Sequence, residues 1–175
     1  MFLEKLKRKS ALKLLKKALN AHENSKLSKE SSKIRSLGCI VNFDEFNHTE
    51  VFQELAEQIG LKSHEYKIIG FSEKGLMGTG FNVPVFTDKD LGWNGQIKNS
   101  DINEYLGREY DLLINYYQHA PVILKLVSAK TKSQTKIGLL DSNQDLNDIV
   151  FQISPDSFSK FREEIIKYLK ILKKI

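Results

Sequence analysis

The sequence predicts a three-layer α/β sandwich built on a mostly parallel sheet, preceded by an N-terminal amphipathic helical arm, and two recurrences carry that expectation. YDLLINYYQHAPVILKLVSAKTKSQTKIGLL, residues 110–140, reads as strand, helix and strand. Leu112, Leu113 and Ile114 are too continuously apolar for a half-exposed strand, Pro121 suits the first turn of a helix, and Lys136 to Leu140 supplies a second strand after the polar Lys130 to Thr135. The same grammar occurs earlier, with SLGCIVNF (36–43) as strand, a helix after Thr49, and Tyr66 to Phe71 as strand. Such crossovers join parallel strands, and repeated they give a Rossmann-like order.

Met1 to about Asn20 has helical periodicity. Leu3, Ala11, Leu14, Leu15, Ala18 and Leu19 gather on one side, and Lys5, Lys9, Lys13, Lys16 and Lys17 on the other. The apolar side calls for a protein surface, on its own domain or a sister chain, while the clustered lysines also fit a membrane surface or RNA. Phe2 alone interleaves an aromatic with these lysines, which weighs against base stacking. Residues 21–35 are rich in Ser and Lys and poor in large apolar residues, the composition of a mobile linker, so a single folded domain is expected over 36–175.

Within that domain Thr49 is a plausible N-cap, Val51, Phe52, Leu55, Ala56 and Ile59 form a buried stripe, and Gly60 supplies the stop. Gly75, Gly78 and Gly80 break the chain after Phe71, and Val83 to Phe86 could form a short strand that Pro84 confines to an edge. The rest of that irregular stretch is expected to be a lid or hairpin, ending in a short helix that Gly107 stops at Leu106. Asp148 to Ile153 reads as a last strand. A helix from Pro155 to Ile175 follows, with Phe158, Phe161, Ile165, Leu169 and Leu172 inward.

Composition excludes more than it selects. Apolar residues make up 41% and charged residues 28%, ordinary values for a globular chain, and no apolar run approaches the length that crosses a bilayer. Cys39 is the only cysteine and cannot form an internal disulfide, which fits a reducing, cytoplasmic setting, and Lys16 and Lys17 interrupt any secretory h-region. The formal charge of +5 is uneven: residues 1–36 hold eleven Lys/Arg against three Asp/Glu, and the remainder sixteen against nineteen. The body is therefore mildly acidic, unlike a nucleic-acid enzyme with basic residues spread over its face.

Ligands of open α/β sheets sit beyond the carboxyl ends of strands, which nominates loops before residue types. Asn42 and Asp44, then Asn115, Gln118 and His119, then Asp141, are the candidates for such a crevice. His119 before a helix could act as a base or help bind an anion at free N–H groups. Asp44 and Glu45 read as turn chemistry, because adjacent loop residues need not point together. The GxxGxG order of Gly75, Gly78 and Gly80 is neither a Walker loop nor a dinucleotide fingerprint, and GxSxG is absent. His22, His48, His64 and His119 are scattered, so no metal is implied, nor any cofactor. Trp93 reads as packing or as an exposed ligand platform.

REYDLLINYY and SAKTKSQTKIGL, joined by a helix and followed by DIVFQI, resemble small uncharacterised bacterial proteins grouped as a domain of unknown function. The resemblance covers most of the chain and implies no activity. A fainter similarity is to the N-terminal Rossmann-like half of heptosyltransferase-type glycosyltransferases, where a DLVI-type strand, a helix and a basic stretch before an IGF-like strand recur. At 175 residues the second, sugar-nucleotide-binding half is not expected, so that similarity informs fold alone. Two function classes remain: a non-catalytic binding or interaction protein whose helical arm docks on a protein partner, a second copy or a membrane, and a small enzyme or nucleotide-type ligand binder using the crevice.

Overall fold

The computed structural model describes residues 2–25, 33–75, 82–140 and 144–175. Its strands are β1 (Leu37–Asn42), β2 (Tyr66–Phe71), β3 (Val85–Phe86), β4 (Glu109–Tyr116), β5 (Lys132–Leu139) and β6 (Ile149–Phe151). They form one sheet in the order β3-β2-β1-β4-β5-β6, with every pairing parallel. This is the strand order of doubly wound dinucleotide-binding sheets. The apolar run of β4 lies where both faces are covered, with Leu112 opposite Leu37 of β1 and Thr135 of β5. Both edge strands are short, which leaves little backbone open to pairing with another chain.

The helices are α1 (Phe2–Ser25), α2 (Glu50–Gln58), α3 (Ser100–Leu106), α4 (Val122–Lys130) and α5 (Phe158–Ile171). Alternating strand residues feed two cores. Cys39, Val41, Leu112 and Ile114 pack with Phe52 and Leu55 of α2 and with Phe158, Phe161 and Ile165 of α5. Ile40, Ile69 and Leu113 face the other way, toward Ile102 of α3, Leu124 and Val127 of α4, and Ala11 and Leu15 of α1. Tyr116 centres the first core, its ring 5.0–5.1 Å from Phe46, Phe52 and Phe161, and its hydroxyl donates to Pro155 O at 2.7 Å. The α2 and α4 crossovers thus cover opposite faces, and β1 and β4 part at a topological switch point.

The N-terminal helix is a component of the second core. It lies on α4 and on the turn Trp93–Gly95, burying Ala11 completely and leaving Leu15 6% exposed. Gly95 sits at φ +66 with Leu14 against it, where a Cβ would overlap the Leu14 Cδ1 methyl, and Lys130 Nζ donates to Gly95 O at 3.1 Å. The helix runs on through Ser25. Of the linker expected at 21–35, residues 26–32 lie outside those described, while Ile34 is buried and donates its N–H to Lys174 O.

Several expectations are corrected. β5 begins at Lys132, in what read as a polar loop, because its first half pairs with Glu109–Leu112 where the sheet is only partly covered. Lys136 is buried, and its Nζ donates to Ser128 O and Ala129 O, where a cation complements the carboxyl end of α4. Thr49 is the N-cap residue of α2, as expected, though its side chain makes no capping bond, whereas α5 ends at Ile171, so Leu172 is 38% exposed instead of inward. Gly78 and Gly80 lie outside the described residues.

Burial pushes the phenols of Tyr105, Tyr110, Tyr116 and Tyr117 well above the ordinary tyrosine range. Unfolded, they ionise near pH 10, roughly, while the folded chain holds their protons. The unfolded state then binds fewer protons, so stability falls as pH rises beyond that point. Alkaline titration should show phenolate absorbance from these four of the six tyrosines appearing together with loss of the circular-dichroism signal.

Candidate functional site

At the carboxyl ends of β1 and β4 the two loops are tied to each other. Asn42, the last residue of β1, donates its Nδ2 to His119 O at 3.0 Å and accepts Asp44 N on its Oδ1 at 3.1 Å. Glu45 reaches from the β1–α2 turn to the β4–α4 loop. Its carboxylate accepts Gln118 N at 2.7 Å, His119 N at 2.6 Å and pairs with His119 Nδ1 at 2.9 Å. Asp44 turns the opposite way, accepting Ser72 Oγ at 2.9 Å and Glu73 N at 2.7 Å beyond β2. The neighbouring carboxylates therefore do separate jobs, each stitching one strand-end loop to another.

Asn42, Phe43, Asp44, Glu45, Glu73, Lys74 and His119 line an open depression of about 480 Å³ at this point. The expected convergence of Asn42, Asp44 and His119 is real as geometry, and Gln118 joins through its backbone. Asn115 does not join. It is fully buried on the α4 face of the sheet and donates its Nδ2 to Asn147 Oδ1 at 2.8 Å. Asp141 lies outside the described residues.

The chemistry of the depression disfavours a phosphate. A dinucleotide site uses a glycine-rich turn after β1 so that backbone N–H groups and a helix N-terminus face the pyrophosphate. Here that turn carries Phe43 and Phe46, α2 opens with Glu50, and the rim presents Asp44, Glu45 and Glu73 against Lys74. The N–H groups of Gln118 and His119, which could have received an anion, already hold the Glu45 carboxylate. Glu45 is 14% exposed and the His119 side chain 90%, so the carboxylate is the fixed partner and the imidazole the peripheral one. This role was not legible from spacing, since it depends on two loops 73 residues apart meeting at one edge. Among the described residues, no three His, Cys, Asp or Glu side chains gather as a metal site. Cys39 is buried in the sheet, where burial pushes its thiol up and disfavours the reactive thiolate.

Residues 7–172 match the model of a family described as one of unknown function, DUF6913. The chain belongs to that family. No curated protein and no solved structure matches it, and the likeness to heptosyltransferases gains no support. The DUF6913 match begins at Lys7, inside α1, and runs past α5, so most of the N-terminal helix belongs to the family's unit together with the sheet.

The other conspicuous surface of this DUF6913 member is the outer side of that helix. Lys5, Lys9, Lys13, Lys16 and Lys17 are all exposed, because Ala11, Leu14 and Leu15 turn the opposite side onto α4 and the 93–95 turn. Trp93 is 48% exposed at the helix's flank, with Lys7 Nζ 5.7 Å from its ring centroid. Beneath the first turns, Glu4, Lys7, Arg8, Glu73, Asp88 and Lys89 line a cleft of about 680 Å³ whose opposite charges balance. No described helix is long and apolar enough to cross a membrane.

The Glu45 stitch is testable by substitution. Glu45→Ala should cost about 1–3 kcal/mol in urea unfolding, because two backbone N–H groups lose a charged acceptor. His119→Ala should change stability by less than about 0.5 kcal/mol, as expected of an exposed ring whose backbone N–H keeps its partner.

Proposed function

We propose that this protein is a non-catalytic binding protein whose contact surface is the outward lysine side of α1, held in a fixed orientation by the α/β body. The observation that carries this reading is the burial of Ala11 and Leu15 against the body, which commits Lys5, Lys9, Lys13, Lys16 and Lys17 to solvent. A row of like charges on one rigid helix is costly in self-repulsion and gains most when an acidic partner neutralises it. The switch-point depression supports the same choice by exclusion. Its polar groups bond one another, its rim is acidic, and a nucleotide-type ligand would meet carboxylates where it needs donors. An enzyme using Asn42, Asp44 and His119 is the weaker reading for that reason.

Removing α1 would expose the Leu126 and Val127 region of the second core, so truncation is a poor test. Substitution of outward side chains is a clean one. Changing Lys5, Lys9, Lys13, Lys16 and Lys17 together to Gln should abolish salt-sensitive retention on an immobilised polyanion and leave the melting temperature within a few degrees. The same number of exposed body lysines, Lys62, Lys132, Lys160, Lys167 and Lys170, changed to Gln should leave most of the retention in place. Equal loss from the two sets would show that net charge, and not α1, governs association.

A further inference from the structure

The lysine side of α1 is also apolar at one end. Phe2, Leu6, Lys9, Lys13 and Lys16 are separated by four, three, four and three residues, a spacing that keeps them on one stripe of a helix. Lys5 and Leu12 flank that stripe. Phe2 is 74% exposed, Leu6 40% and Leu12 47%, although the helix has a buried side available on its own body.

We infer that α1 docks the protein on an anionic lipid bilayer, its lysines meeting headgroup phosphates while Phe2 and Leu6 enter the headgroup boundary. This rests on the reading of the lysine side as the contact surface and names its partner. A nucleic acid would satisfy the ammonium groups and leave Phe2 and Leu6 in water, whereas a bilayer interface accepts both kinds of group in one plane. The outward charges are lysines, point charges suited to a diffuse headgroup field, and not the planar guanidinium forks that read individual phosphates on a nucleic acid. The remainder of the chain opposes the same field. Residues 37–175 hold sixteen Lys/Arg against nineteen Asp/Glu, so the body is repelled by an anionic leaflet while α1 is drawn to it, which orients the molecule.

The full chain is mixed with vesicles of phosphatidylcholine alone, or of phosphatidylcholine with about one-third phosphatidylglycerol. Co-sedimentation is expected with the anionic vesicles only, and is reversed by about 0.5 M salt. The five Lys→Gln changes should weaken partitioning at least about a hundredfold, since each lysine near an anionic surface is worth roughly fivefold. Phe2→Ser with Leu6→Ser, two outward positions, should weaken it about tenfold with every lysine in place. Unchanged thermal melts of these variants would confirm that the fold is intact. Equal binding to both vesicle types, or no binding to either, overturns the inference. Binding to anionic vesicles that ignores the Phe2 and Leu6 changes also overturns it. Lysine-dependent retention on polyuridylate without vesicle binding would overturn the lipid assignment and leave the lysine side as the contact surface, whereas loss of both would remove that reading as well.

Discussion

The pairing of β4 between β1 and β5 is the constraint on which the other elements depend. Because Leu112 to Ile114 are apolar without interruption, β4 is stable only where helices cover both faces, and the α2 and α4 crossovers supply them from opposite sides. That choice brings the ends of β1 and β4 together as a switch point. In dinucleotide-binding proteins the opening is kept for phosphate. Here the same opening is spanned by Glu45, which bonds the N–H groups of Gln118 and His119 from across the gap. The switch-point arrangement of strands is present, and the N–H donors beside it are committed to holding the loops.

Much of the fold was legible in the sequence because burial on both faces leaves an unmistakable apolar run. SLGCIVNF, YKIIGF and DLLINY mark β1, β2 and β4, and the stripes Phe52, Leu55, Ala56 and Phe158, Phe161, Ile165 mark α2 and α5. The first half of β5 was hidden, since Lys132 to Thr135 pair in the sheet without full helical cover and keep polar side chains. Asn115 was misplaced for a reason that strand parity could have supplied. It shares a face with Leu113, so its side chain goes under α4 and cannot reach the loop beyond Tyr116. Glu45 could not be found by pattern, because nothing local announces which distant backbone a loop carboxylate will meet.

The apolar side of α1 was equally plain, but not whose surface it would cover. Periodicity fixes which residues want burial and says nothing of the partner. The structure answers with α4 and the Trp93–Gly95 turn, where the left-handed Gly95 lets Leu14 approach the backbone closely. From that contact follow the outward direction of five lysines, the exposure of Phe2 and Leu6, and the position of Trp93 at the helix's flank. A helix free to leave the body would present its apolar side to partners instead, and the surface chemistry would be reversed.

The docking of α1 is tested most directly by comparing two leucines three residues apart on that helix. Leu15 is 6% exposed against α4 and the 93–95 turn, and Leu12 is 47% exposed. In equilibrium urea unfolding of the whole chain, Leu15→Ala should lower stability by about 2–4 kcal/mol and Leu12→Ala by less than about 0.5 kcal/mol. Equal, small effects of the two changes would mean that α1 does not belong to the folded body, and would contradict the orientation on which the proposed contact surface depends.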